Sequence, residues 1–200
     1  MKKQLQLLLL ASFALPYPHV HANSSGGFYV GTDYSYGNFD ITGEADGVND
    51  GFNIESNPSA ASFTVGTNIT TNLALEARMG IGISDDSVTL SSGDVSVRLD
   101  EFTVDVDRYY GLYAKYFVSI NDALSFYGTA GYTEVELTLG GPDGSIEDDD
   151  DDFSLGFGGT YSLNQQLSVN AEFISLVRSS DEDDIEASVG AFNIGLKYFL

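Results

Sequence analysis

Beyond Gly27, apolar and polar residues alternate one by one in eight separate stretches. Successive side chains of an extended strand point to opposite faces, so a period of two marks strands whose faces meet different surroundings. The first stretch puts Phe28, Val30, Thr32, Tyr34 and Tyr36 on one face and Tyr29, Gly31, Asp33, Ser35 and Gly37 on the other. Ala61, Phe63, Val65 and Ile69 make the apolar face of the second. In the third, Leu73, Leu75, Ala77, Met79, Ile81 and Ile83 alternate with Ala74, Glu76, Arg78, Gly80 and Gly82. The fourth sets Tyr110, Leu112, Ala114, Tyr116 and Val118 against Gly111, Tyr113, Lys115 and Phe117. The fifth sets Leu124, Phe126, Ala130 and Tyr132 against Ser125, Tyr127, Thr129 and Gly131. Phe153, Leu155, Phe157 and Tyr161 mark the sixth, and Leu167, Val169, Ala171 and Phe173 the seventh. Phe192, Ile194, Leu196, Tyr198 and Leu200 mark the eighth, where the chain stops.

The connections alternate as well. Long stretches at 40–58, 84–107, 134–152 and 177–187 are separated by short turns at 70–72, 119–123 and 164–166. An even number of antiparallel strands, with long loops on one side and tight turns on the other, is the organisation of an outer-membrane barrel. The fold expected is therefore all-β: an eight-stranded antiparallel up-and-down transmembrane β-barrel with short periplasmic turns and long extracellular loops. Both termini are then expected to face the periplasm. A soluble barrel of the same strand number would turn its apolar face inward. The lumen of eight strands is only wide enough for side chains, and Phe, Leu, Ile, Val and Tyr recur on all eight apolar faces. That bulk suits lipid, while Gly, Ser, Thr and Asn suit the inside. Tyr34, Tyr36, Tyr110, Tyr132, Tyr161 and Tyr198 lie near strand ends, as in the aromatic girdles at membrane interfaces.

Residues 1–22 carry Lys2 and Lys3, an apolar run from Leu5 to Leu15, and the small-x-small sequence Val20-His21-Ala22. They read as a signal peptide, leaving 23–200 as one barrel domain. The apolar run is about half the roughly 20 residues a spanning helix needs. Both histidines, His19 and His21, leave with it, and the chain has no Cys. The remaining charge is six basic against thirty acidic residues, a net of −24. Such a balance excludes nucleic acid as a partner. Without His or Cys, the usual general base near neutral pH and the thiol nucleophile are missing, so no enzymatic activity is expected.

The last stretch, with Phe192, Ile194, Leu196, Tyr198 and Leu200 alternating up to the terminus, resembles the assembly signal of outer-membrane barrels, although Leu200 stands where that signal has an aromatic residue. With the eight stretches and phrases such as Tyr109-Tyr110-Gly111-Leu112-Tyr113-Ala114-Lys115-Tyr116 and Leu124-Ser125-Phe126-Tyr127-Gly128, the chain resembles the OmpA/OmpX-like family of small outer-membrane barrels. The resemblance implies insertion by the barrel-assembly machinery, residence as a monomer among outer-membrane lipid and lipopolysaccharide, a polar core, and roles in envelope integrity or surface interaction and adhesion.

Charged residues on the small-residue face are the candidate site. Asp33, Glu76, Arg78, Lys115, Glu172 and Lys197 all fall about three to five residues above the periplasmic end of their strands, one narrow layer at roughly 3.3 Å per residue. Neighbouring strands group Glu76, Arg78 and Lys115 together, and Glu172, Lys197 and Asp33 together. Buried charges persist only when paired, so a neutral ion-pair network plugging the lumen is expected, with a narrow passive channel for small or cationic solutes as the alternative. Lipid modification is a third reading, which the missing histidine disfavours.

Twenty-six of the thirty acidic residues lie in the four long connections. The densest runs are Glu147, Asp148, Asp149, Asp150, Asp151 and Asp152, and Asp181, Glu182, Asp183 and Asp184. Runs of this kind are ordinarily solvated surface. Clustered carboxylates also attract hard cations, so loosely bound calcium or magnesium is a candidate, bridging to lipopolysaccharide phosphates. No cofactor is expected otherwise. Asp46-Gly47-Val48-Asn49-Asp50-Gly51 comes nearest to a calcium loop, but Val48 replaces an oxygen ligand and Asn57 the bidentate Glu.

Overall fold

The computed structural model describes residues 27–43, 52–92, 95–142, 144–176 and 185–200. Residues 1–22, expected to be a signal peptide, the 46–51 stretch and the 181–184 cluster lie outside them. The described residues form ten strands and no helix: β1 (Phe28–Gly43), β2 (Phe52–Ser56), β3 (Ser59–Asn68), β4 (Leu73–Ser84), β5 (Asp86–Ser92), β6 (Val95–Ser119), β7 (Leu124–Gly141), β8 (Gly144–Ser162), β9 (Leu167–Leu176) and β10 (Ile185–Phe199). β1 pairs antiparallel with both β3 and β10. Eight strands, β1, β3, β4, β6, β7, β8, β9 and β10, thereby form an unbroken ring of antiparallel pairs in chain order. A ring leaves no unpaired edge, and in lipid every backbone N–H and C=O must be satisfied within the protein.

The three tight turns share one construction. Ile69, Ile120 and Leu163 each donate a backbone N–H to the carbonyl of a leucine four residues on, Leu73, Leu124 and Leu167. The next side chain then caps the turn. Thr70 Oγ1 accepts from the amides of Asn72 and Leu73, Asn121 Oδ1 from Ala123 and Leu124, and Asn164 Oδ1 from Gln166 and Leu167. Thr and Asn are turn residues because their short side chains reach their own backbone two or three residues on. The pattern (Ile/Leu)-(Thr/Asn)-x-x-Leu is thus a local instruction repeated at each end of the same rim.

At the opposite rim the structure corrects the sequence-based expectation. Much of the stretches 40–58, 84–107 and 134–152 is strand rather than loop. β7 and β8 run as a paired hairpin out to Gly141 opposite Gly144, where Gly144 has φ of 134°, a conformation that side chains with a Cβ rarely adopt. The run 147–152 lies within β8, its backbone paired with β7 from Thr138 to Thr133, so it is strand rather than loop. β2 and β5 pair with each other and join β1 to β6 above β3 and β4. In these extensions alternation continues with charged and hydroxyl residues outward, as in Asp105 and Glu134, and Val104, Val106 and Val135 buried inward. The extended strands are held by backbone pairing together with these buried valines.

Burial settles which face is which. Phe63, Leu75, Met79, Leu112, Phe126, Phe157 and Ile194 are all exposed on the outside of the ring, Phe157 to 69%. Thr64, Glu76, Lys115, Ser154, Asn170 and Glu172 are buried inside it. A water-soluble barrel has the reverse arrangement, and an exposed apolar belt of this extent is the surface of a lipid-spanning barrel.

Candidate functional site

Strand register brings the six predicted charges to the lumen, every one buried. Five of them form a single cluster. The Arg78 guanidinium lies 2.8 Å from Glu76 and 2.6 Å from Glu172. Lys115, fully buried, sits 3.1 Å from each of the same two carboxylates. Lys197 donates to Glu76. Two carboxylates on opposite walls are therefore bridged by two cations, with a third cation on Glu76. Asp33 stands beside the cluster and accepts from neutral donors, Thr64 at 3.1 Å and Asn170 Nδ2 at 2.7 Å.

The expected grouping of Glu76 with Arg78 and Lys115 holds, but the second group breaks up across the lumen. Lys197 of β10 reaches across to Glu76 of β4, and Glu172 of β9 meets Arg78 of β4 and Lys115 of β6. The lumen is narrow enough for two long side chains to meet across it, and pairing across the centre gives each carboxylate several cations. Removing an ion from water costs several kcal/mol, which pairing offsets only when further hydrogen bonds satisfy the carboxylates. Those bonds are present: Tyr29 donates to Glu76 at 2.8 Å and Thr129 to Glu172 at 2.6 Å.

Sequence reasoning missed the aromatic part of the site. Each cation lies over a tyrosine ring: Arg78 over Tyr113 at 4.6 Å, Lys115 over Tyr127 at 4.3 Å, and Lys197 over Tyr29 at 5.0 Å. On the side of the tight turns, Tyr29, Ala74, Phe117 and Tyr127 pack into a buried cluster with Phe199 against it. Above the charges, Tyr113 shares a hydrogen bond with Thr133 at 2.8 Å, and Thr133 another with Ser154 at 2.5 Å.

A signal for these rings does exist in the register. Tyr29 lies directly opposite Gly66, Tyr109 opposite Gly80, Tyr113 opposite Gly131, and Tyr127 opposite Gly158. A Cβ at Gly66 would run into the Tyr29 ring, and one at Gly80 into the Tyr109 ring. Glycine on the neighbouring strand lets each ring lie flat along the wall, where it covers the bare backbone. Once pairing is known, a large residue on the small-residue face opposite a glycine identifies an inward ring.

The terminal residues Phe192, Ile194, Leu196, Tyr198 and Leu200 are exposed on the outer face, and Leu200 donates its amide to Phe28 O at 2.9 Å. Around the far rim, Arg98 pairs with Asp86 at 2.8 Å and Arg108 with Glu136 at 2.5 Å. Tyr132 donates to Asp151. Among the described residues no cluster of three or more acidic, His or Cys side chains is arranged to hold a metal ion.

A closed ring of antiparallel strands with a lipid-facing exterior and a charged lumen defines a small outer-membrane β-barrel. The chain belongs to the outer membrane protein beta-barrel domain family, whose model matches residues 6–198. No curated protein matches it in sequence. Among solved structures it is similar to OprG from Pseudomonas aeruginosa, at 12% identity and TM-score 0.61 over 90% of this chain and 99% of that one. It is also similar to the attachment invasion locus protein Ail of Yersinia pestis, at 15% identity and TM-score 0.53 over 88% and 99%. The outer membrane protease OmpT from Escherichia coli matches at 11% identity and TM-score 0.51 over 87% and 97%. At these identities the likeness is one of fold, shared by proteins of different activity.

Proposed function

We propose that this chain is a non-enzymatic outer-membrane barrel, its lumen closed by the ion-pair layer, with an acidic rim facing outward in envelope integrity or surface interaction. The observation that carries this reading is the cross-lumen cluster. Glu76 and Glu172 are joined through Arg78 and Lys115, and the aromatic cluster backs them on the turn side. Moving a solute past it would require separating ions with no water to replace their partners. In this reading the tight turns and both termini are periplasmic, since outer-membrane barrels keep their short turns on that side. The machinery that inserts barrels would engage β10.

Catalysis is disfavoured because the only histidines are His19 and His21, in the expected leader, and the lumen lysines are held in ion pairs below the rim. Ail has been solved with the heparin analogue sucrose octasulfate. A rim bearing most of thirty acidic residues would repel such a polyanion, so the surface partner proposed here is neutral or cationic. The test is conductance in planar bilayers beside heat-modifiable gel mobility of outer-membrane fractions. The expected result is a mobility shift without stable open channels. Steady nanosiemens conductance would refute the closed lumen, and soluble material with no mobility shift would refute the membrane assignment.

A further inference from the structure

The lipid-facing wall carries a groove. On the outer face Ala77 of β4 lies directly between Val65 of β3 and Leu112 of β6, a short side chain among larger ones. Around it Phe63, Met79, Tyr110 and Tyr132 wall a groove of about 460 Å³. All four are exposed on the outside of the ring. Sites for small molecules run from about 300 to 1,000 Å³, and most are lined by apolar side chains.

The end of the groove toward the outer rim is acidic. Glu134 lines it and lies directly opposite Tyr110 on β6 and Asp151 on β8. Successive side chains alternate between faces. Val135 and Ser154 are buried inward, so Glu134 and Asp151 both face outward, where each is exposed. Like charges directly opposite on paired strands repel. Tyr132 donates to Asp151, but a hydroxyl brings no positive charge. Arg108, two residues from Tyr110, is paired with Glu136 at 2.5 Å.

We propose that this groove seats an acyl chain of a phospholipid whose head group carries an amine, with the ammonium between Glu134 and Asp151. The proposal rests on the membrane assignment made above. The lining argues for the chain, since its apolar side chains continue the lipid belt and a hydrocarbon chain leaves none of them to water. Charge decides the head group. A cation between two facing carboxylates replaces their repulsion with two attractions, whereas an anionic head group adds a third like charge. Exposed ion pairs are individually weak, so the two together are expected to favour the amine by about tenfold.

The experiment uses the barrel in neutral detergent at low ionic strength, with methyl resonances of Val65, Met79 and Leu112 as reporters and Leu155, on β8, as the control. Myristoyl-lysophosphatidylethanolamine is titrated beside the matching lysophosphatidylglycerol. The two share chain and phosphate and differ in the amine, and chelator keeps divalent ions from bridging phosphate to carboxylate. The expected result is a saturable shift at the three reporters, none at Leu155, and binding about tenfold weaker for the glycerol lipid. Glu134→Gln with Asp151→Asn brings the two lipids to equal affinity, and Ala77→Leu, which fills the groove, removes saturable binding of both. Both variants change only outward positions, and either one that folds suffices. Equal affinity in the parent, a preference kept in the double variant, or saturable shifts in folded Ala77→Leu would each overturn the proposal. Absence of heat-modifiable mobility in the parent would strike the membrane assignment instead, and the proposal with it.

Discussion

Glu76→Gln tests the energetic logic of the lumen most directly. The side chain keeps its shape and loses one charge, while Arg78, Lys115 and Lys197, all within its reach, keep theirs. At 3.1 Å and an effective dielectric of 20, one such pair is worth about 5 kcal/mol of gross Coulomb energy. Desolvation cancels much of that while the pair is intact. The cancellation is lost once a cation is left buried without its partner, and breaking a buried pair then costs about 3–5 kcal/mol. Glu172 can still serve Arg78 and Lys115, so Lys197 is the cation stranded. Glu76→Gln is therefore expected to destabilise by about 3–5 kcal/mol. The double variant Glu76→Gln, Lys197→Met, which removes the stranded charge, should recover most of the loss. Urea unfolding in lipid vesicles, followed by far-ultraviolet dichroism and gel mobility, measures both. A single variant within about 0.5 kcal/mol of the parent, or a double variant less stable than the single, would refute the account of a charge-balanced network.

Other outcomes follow from the same geometry. Gly66→Ala places a Cβ against the Tyr29 ring and should cost about 1–3 kcal/mol by overpacking. Gly128→Ala, where nothing lies within 4 Å, should be silent in the same unfolding assay. On the outer rim, partial burial and then the neighbouring carboxylates of Asp107 and Asp85 hold Asp105 above its ordinary value. The folded state thus binds this proton more readily than the unfolded chain, so its contribution to stability is greatest below the ordinary Asp value and is lost as pH rises through the raised one. Amide exchange at Val104 and Val106, corrected for intrinsic rates between about pH 4 and 7, should show less protection at the higher pH in the parent and no such trend in Asp105→Asn. Divalent cations are proposed to associate loosely with the rim. Calcium and magnesium should then raise the melting temperature alike relative to chelator, whereas a calcium-selective rise would point to a coordinated site.

The sequence by itself determined the barrel. Period-two alternation placed eight strands and separated their faces, because lipid on one side and a narrow lumen on the other leave no other use for bulky apolar and small polar residues. The turns were legible too, since Thr70, Asn121 and Asn164 act on backbone two and three residues away. The six lumen charges could be listed because each is an ionisable residue on a face otherwise made of small ones. What they bond to could not be listed. That Lys197 reaches Glu76, 121 residues away, and that Asp33 rests on Thr64 and Asn170, depends on ring closure and strand stagger, which alternation within one strand does not encode. The same is true of the tyrosines opposite glycines, whose partners come from different strands. Strand extension beyond the membrane was hidden for a simpler reason. The acidic run 147–152 has no alternation of its own, and only backbone pairing between β7 and β8 decides that it is strand.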